Sequence, residues 1–270
     1  MHTKTHLLLL FLSICFYLIN IHMPGKDPLK RSKIFITTSW DDGHPLDLKL
    51  SSLLKDYGIS GTMYVPIRNQ ESTVMTNEQL KNVAKDFEIG GHTFNHTTLT
   101  EVNEDRVIYE LVESKNVLES IIGNEVVSFS YPRNLYNRTI VQKVKESGYK
   151  IGRTGKTFCT TMSKPFEYHP TVHALNKVLL AKGKHIVGAN DHILAAKLLF
   201  SGNIFKRWDI IAKKSLDHIM ENGGIWHLWG HSWEIDQNND WPLLQNVLEY
   251  AKKEGRRYGA EFITNGMLCS

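Results

Sequence analysis

From residue 33 onward, apolar runs alternate with stretches of helical period. Lys33 to Trp40, nearly continuous in apolar character over Ile34 to Thr37, reads as a buried strand. Leu46, Leu50, Leu53, Leu54 and Tyr57 then recur at helical spacing, and Gly58 supplies the stop. Gly61 to Ile67 is a second predicted strand. Thr76 and Gln79 have the spacing of a capping box, ahead of Leu80, Val83, Ala84 and Phe87 on one helical face. Phe87 to Gly90 reads as a short strand, Asn103 to Ile122 as a charged helix ending at Gly123, and Val126 to Tyr131 as a strand broken by Pro132. A helix over Thr139 to Ser147 and a strand over Tyr149 to Thr154 follow. Residues 155–190 show no clear period and are expected to form long loops. Asp191 to Glu221 is strongly helical, Gly224 to Trp233 a strand, Trp241 to Gly255 a helix and Glu261 to Thr264 a last short strand.

Strands alternating with helices of ten to twenty residues predict parallel βαβ units and an α/β fold. Strands apolar on both faces fit a covered sheet. If such a sheet curls into a (β/α) barrel, reactive groups collect at the C-terminal ends of its strands. The polar clusters Asp41-Asp42, His92/His96, Tyr131-Pro132-Arg133 and His231 each fall at such an end.

Composition alters this picture little. In 270 residues, 41% are hydrophobic and 22% charged, enough for a sizeable core in one domain. The net charge of +4 comes from lysines scattered through the helices, so nucleic acid is not an expected partner, and no protein partner is implied. The N-terminus departs from the rest. Leu7 to Ile21 carries no charge for fifteen residues, short of the ~20 a membrane span needs and suited to the core of an export signal. Residues 1–22 are therefore expected to be a signal peptide or short anchor, 23–32 a linker and 33–270 a single folded domain. The expected location is secreted or membrane-anchored outside the cytoplasm, with membrane contact only through the N-terminal segment. Cys15 lies in that segment, which leaves Cys159 and Cys269 either to pair in an oxidising compartment or to stay free.

Asp41-Asp42-Gly43 on its own has the composition of a turn. Two adjacent carboxylates at the end of an apolar strand, however, repel each other and lose hydration, a cost that a bound cation relieves. His92 and His96 stand four apart after Gly90-Gly91, a ligand spacing beside a tightly packed backbone. One carboxylate and two neutral imidazoles suit zinc and related metals while leaving open positions, and the other carboxylate is then free to act as a base. In Ile225-Trp226-His227-Leu228-Trp229-Gly230-His231-Ser232-Trp233, alternation puts 227, 229 and 231 on one face. His231, near the strand end, is the better placed general acid; His227 lies deeper, and the tryptophans serve as core or as a platform for sugar rings. No serine sits in a G-x-S-x-G elbow and no cysteine has a partner nearby, so attack by activated water is favoured over a covalent route.

Thr38-Ser39-Trp40-Asp41-Asp42-Gly43, His92-Thr93-Phe94-Asn95-His96, Phe129-Ser130-Tyr131-Pro132-Arg133-Asn134 and the His231 strand resemble, in order, the motifs of the polysaccharide deacetylases, the NodB homology group or carbohydrate esterase family four. The resemblance implies a distorted (β/α) barrel of about seven strands in a single domain. It implies metal-dependent removal of N-acetyl or O-acetyl groups from a carbohydrate polymer. By position, Asp41 would be the base, Asp42, His92 and His96 the metal ligands, and His231 the acid. The Arg133 amide would help hold the oxyanion. The metal would be divalent, zinc first, with cobalt, manganese or nickel as alternatives. The third motif departs from its usual arginine- and tyrosine-containing form. Tyr131, Arg133, His227 and Arg153 are therefore candidates for substrate or oxyanion contacts, with Arg133 or Arg153 supplying the displaced positive charge. Asp209 and Glu234 both stand as candidates for the carboxylate that tunes His231. Two alternatives remain: a hydrolase of a C–N bond in a small amide, and a carbohydrate-binding protein without catalysis.

Overall fold

The computed structural model describes residues 32–176, 189–203 and 206–269. Seven strands run parallel in the order β5-β4-β3-β2-β1-β7-β6 and curl into a half-barrel covered by helices. They are β1 (Ile34–Asp41), β2 (Gly61–Val65), β3 (Glu88–Gly91), β4 (Ser128–Ser130), β5 (Ile151–Arg153), β6 (Val172–His173) and β7 (Gly224–Gly230). A short β8 (Glu261–Phe262) pairs with Phe35 and Ile36 at the start of β1. The helices are α1 (Asp47–Tyr57), α2 (Asn77–Val83), α3 (Glu104–Ile122), α4 (Arg138–Glu146), α5 (His192–Phe200), α6 (Trp208–Asn222), α7 (Ser232–Gln237) and α8 (Trp241–Tyr258). This is one α/β domain with the distorted barrel the motifs imply.

Local chemistry accounts for most element ends. Gly58 and Gly123 close α1 and α3 in the left-handed conformation. Thr76 and Gln79 form the full capping box of α2, and Asn103 and Asn137 cap α3 and α4. Four expectations need correction. The α2 helix stops at Val83 instead of running to Phe87, because the chain bends into β3 through hydrogen bonds from Asp86 and Phe87 to the Val83 carbonyl. The stretch 155–190 is not all loop: Val172 and His173 pair with Leu228 and Trp229, a tertiary pairing with no local periodicity behind it. The helical stretch 191–221 is two helices, the first followed by Gly202 at φ 68°. The β7 strand ends at Gly230, and residues 232–237 turn into α7.

Alternation along the strands sorts two chemistries. Ile36, Trp40, Met63, Val65, Ile89, Phe129, Trp226 and Leu228 face outward into the main apolar core under the helices. Inward-facing residues are largely polar and paired in layers. At the bottom, Glu88 accepts from Thr62 (3.0 Å), from Ser128 and from the Gly266 amide (2.8 Å), while Asn265 donates to Tyr64 Oη (2.9 Å). The C-terminal segment thus plugs the lower end. Above it, Ser39 bonds His227, and above that Asp41, Ser130 and Arg153 form the floor of the upper mouth. Pairing these buried polar groups with one another favours one strand register.

Residues 1–31, which include the expected signal and nearly all of the linker, lie outside the described residues. Among the described residues no helix is long and apolar enough to cross a membrane. Cys159 and Cys269 are both free thiols, Cys159 buried.

Candidate metal centre and hydrolytic site

The mouth of the half-barrel is formed where β1, β3, β4, β5 and β7 end. Asp41 is the last inward residue of β1. Its carboxylate pairs with the Arg153 guanidinium from the end of β5 and accepts from Ser130 Oγ at 3.3 Å. Arg153 is fully buried, donates to Ser130 Oγ at 2.7 Å, and lies over the rings of Trp229 (4.5 Å) and Tyr64 (5.2 Å). Burial alone would raise the Asp41 carboxyl, but Arg153, with His92 and His231, holds it below the usual carboxylate value. Of the two arginines considered for the displaced charge, Arg153 is the one that reaches Asp41. Arg133 instead donates to Glu71 (2.8 Å) and Thr98 (3.0 Å) on the rim.

Asp42 follows at φ 77° and Gly43 at φ 58°, a left-handed pair that turns the second carboxylate away from the first. A side chain at Gly43 would meet Val65 Cγ1 at 2.7 Å, so the tight turn requires glycine. Asp42 Oδ1 lies 3.6 Å from His92 Nε2 and 3.3 Å from His96 Nε2. One ligand atom from each of Asp42, His92 and His96 lies within 4.8 Å of the others. Trp233 Nε1 donates to Asp42 Oδ2 at 2.9 Å, whereas Oδ1 is buried and receives no hydrogen bond. His92 Nδ1 donates to the Ser130 carbonyl at 2.8 Å, which leaves its Nε2 lone pair directed at the same point. Burial and neighbouring His92 push His96 down to about 4, so its imidazole is neutral near pH 7. For Asp42, burial is outweighed by contact with His92 and the charge of His231, and its carboxyl sits well below the ordinary value. A bare carboxylate oxygen and two imidazole nitrogens are a donor set that could hold a divalent metal with open positions.

The loop carrying His96 is anchored by a residue that the periodicity did not reveal as part of the site. Glu110 on α3 is fully buried and accepts from the Asn95 amide (2.8 Å), Asn95 Nδ2 (2.9 Å) and Thr97 Oγ1 (2.8 Å). Thr93 and His96 have φ of 65° and 55°, and Arg133 and Asn134 of 55° and 59°. With Asp42, these are five of the seven non-glycine residues at positive φ among those described. Such conformations cost about 1–3 kcal/mol each, and here they concentrate on the loops around one point.

His231 closes the opposite side. Its Nε2 is 3.9 Å from Asp42 Oδ2, and its Nδ1 bonds Glu234 Oε2 at 2.6 Å. Burial would lower the imidazole, but the Glu234 bond and the charges of Asp41 and Asp42 raise it above its ordinary value. Glu234 in turn is lowered to about 2, against burial, by hydrogen bonds from His173 and His231. Of the two carboxylates considered for this role, Glu234 makes the contact; Asp209 pairs with Arg207. His173, in the strand absent from the sequence reading, bonds Glu234 at 3.3 Å and stacks on Trp229 with centroids 3.8 Å apart. His173, His231 and Glu234 form a second group of potential ligands, but they are already hydrogen-bonded to one another.

The remaining candidates lie away from the centre. His227 bonds Ser39 Oγ at 2.8 Å and stacks on Tyr168; burial, with Arg153 nearby, holds it well below its ordinary value. Tyr131 is buried, packs on Tyr136 and donates to the Phe166 carbonyl at 2.8 Å. Trp226 and Trp229 are buried, so neither offers a face to a sugar ring, while the half-buried Trp233 stands beside Asp42.

The site is thus a carboxylate–imidazole cluster at the C-terminal mouth of a parallel half-barrel. Residues 28–152 match the family described as polysaccharide deacetylase, so the resemblance read from the motifs is a finding over that span. The Bacillus subtilis protein YxkH, whose name places it with the polysaccharide deacetylases, is 25% identical over 128 residues, 46% of each protein. The chain therefore matches just under half the length of that relative. The fold recurs over most of the chain. A family 4 acetyl xylan esterase from Clostridium thermocellum, solved with a cobalt ion, has a TM-score of 0.54 at 15% identity, covering 87% of this chain and 89% of that one. A family 4 carbohydrate esterase from Streptomyces lividans has a TM-score of 0.52 at 11% identity, covering 85% and 90%. A peptidoglycan N-acetylglucosamine deacetylase has a TM-score of 0.54 at 16% identity, covering 87% of each.

Proposed function

We propose that this chain removes acetyl groups from a carbohydrate polymer by metal-dependent hydrolysis. The observation that carries the reading is the convergence of Asp41–Arg153, Asp42/His92/His96 and His231–Glu234 on one barrel mouth. A divalent ion held by Asp42, His92 and His96, zinc first among the candidates, would supply Lewis acidity toward water and the substrate carbonyl. Asp41, kept ionised by Arg153, accepts the proton of the attacking water. His231, kept protonated by Glu234, donates from Nε2 to the departing amine or alkoxide. Arg153 reaches Asp41 and Glu234 reaches His231, and their task is to hold opposite charges on opposite walls. The apolar run over residues 7–21 supports placing the chain outside the cytoplasm, secreted or anchored.

The test is acetate release from acetylated chitooligosaccharides, peptidoglycan and acetylated xylan, with and without a chelator. Release that the chelator abolishes and that Asp41→Asn removes while metal is retained is the expected result. Full activity of Asp41→Asn, or no release from any of these substrates by metal-loaded protein, refutes the reading.

A further inference from the structure

The two imidazoles of the candidate metal centre are braced differently. His92 is held through Nδ1 by the Ser130 carbonyl at 2.8 Å, so its orientation belongs to the strand framework. His96 Nδ1 is buried and makes no hydrogen bond. When Nε2 presents its lone pair to a metal, Nδ1 carries the proton, and a buried N–H without an acceptor is costly. The carboxylate facing it is Glu71, with Oε2 at 3.6 Å, on the loop after β2. Glu71 Oε1 accepts from Arg133 Nη2 at 2.8 Å, and Arg133 Nε donates to Thr98 Oγ1 at 3.0 Å. Glu71, His96, Thr98 and Arg133 line one cleft of about 220 Å³ beside the centre. Arg133 is the residue of the third motif whose side chain does not reach Asp41.

We infer that Glu71 is the outer-sphere carboxylate of the metal centre, accepting from His96 Nδ1, and that Arg133 holds Glu71 in place for it. The inference rests on the metal reading proposed above. A carboxylate on the far nitrogen of a ligating histidine fixes its tautomer and raises its basicity, and losing such a partner typically weakens metal binding by about 10–100-fold. Glu71 is a positioning residue: it touches His96, not the substrate. Its side chain is 57% exposed, so its removal leaves the fold intact.

The experiment is zinc affinity of the purified full chain, measured by competition with a chromogenic chelator, with apo-protein melting as a folding control. Glu71→Ala is expected to weaken zinc binding by about 10–100-fold with an unchanged apo melt. Glu71→Gln keeps an acceptor without the charge and is expected to fall between wild type and Glu71→Ala. Arg133→Ala is expected to weaken binding less, and to add nothing in the Glu71→Ala background. Zinc affinity of Glu71→Ala within twofold of wild type overturns the inference, as does full additivity of the two alanine variants. His92→Ala separates this from the parent reading. If wild type binds no zinc, or His92→Ala binds it equally well, the metal centre fails and the inference falls with it. If only the Glu71 variants are silent, the metal centre stands and the outer-sphere role falls.

Discussion

Replacing Arg153 with methionine tests the arrangement of the barrel mouth without assuming a substrate. The Arg153 side chain is fully buried and its partner Asp41 is 5% exposed. Methionine occupies much of the same volume and keeps a contact with Trp229, so the change isolates the charge. Breaking a buried pair by removing one partner costs about 3–5 kcal/mol, because the remaining carboxylate stays buried without a counter-charge. At roughly 2–4 °C per kcal/mol for domains of 150–250 residues, the melting temperature should fall by about 6–20 °C. Asp41→Asn alone leaves the guanidinium stranded and is also expected to destabilise. The double variant strands neither charge, so it should be more stable than the sum of the single effects predicts, by a coupling of about 0.5–3 kcal/mol. The pH dependence has a definite sign. Asp41 is held below its unfolded value of 3.8, so its stabilisation is present above that value and is lost as pH falls through the folded one. The gap between wild type and Arg153→Met should therefore narrow in acid. Thermal and denaturant unfolding across pH reads all of this. A cost under about 1 kcal/mol, or strict additivity in the double variant, would refute the pairing as the organiser of the mouth.

Three further outcomes follow from the geometry. Glu234→Gln removes the charge that outweighs the burial of His231, so the alkaline limb of the kcat profile should move toward acid, with a roughly tenfold or greater loss near pH 8, part of the 10²–10⁴ a general acid supplies; an unmoved limb would exclude His231 as the acid. Asp47, fully buried at the start of α1, is pushed by burial up to about 8, so stability is highest below its unfolded value of 3.8 and declines as pH rises through the folded one. Asp47→Asn should remove that decline, worth on the order of 1–3 kcal/mol between pH 5 and 8 by thermal melts, and parallel pH profiles for the two proteins would contradict this. Gly90→Ala would place its Cβ against the Tyr64 ring in the barrel interior; a loss of about 1–3 kcal/mol is expected in denaturant unfolding, and an unchanged midpoint would rule out the close approach.

The sheet was legible because its signals are local. The helix-covered face of each strand is apolar, and helices need a period and caps, so β1, α1, α3 and β7 could be read with ends within a few residues. β6 could not: two residues pair with β7 only because the chain returns to that edge, and no short-range pattern encodes the return. The site divides the same way. Asp41, Asp42, His92, His96 and His231 stood out because a charge or imidazole at the end of an apolar strand is conspicuous. Glu71, Glu110 and His173 did not, because each lies in a loop, a helix or a two-residue strand where its residue type is ordinary. Cation–carboxylate pairing was the least legible feature. Arg133 sits in the motif and Arg153 twenty residues later, yet the deeper arginine meets Asp41.

The sequence by itself determined the alternation of strands and helices, the parallel sheet and the positions at which reactive groups emerge, since these follow from backbone period and burial. Only the tertiary structure decided which groups meet: Arg153 with Asp41, Glu234 with His231, and Glu71 with Arg133 beside His96. Contacts of a few ångströms between residues far apart in the chain depend on strand register and loop conformation, and neither is written in any local pattern of residues.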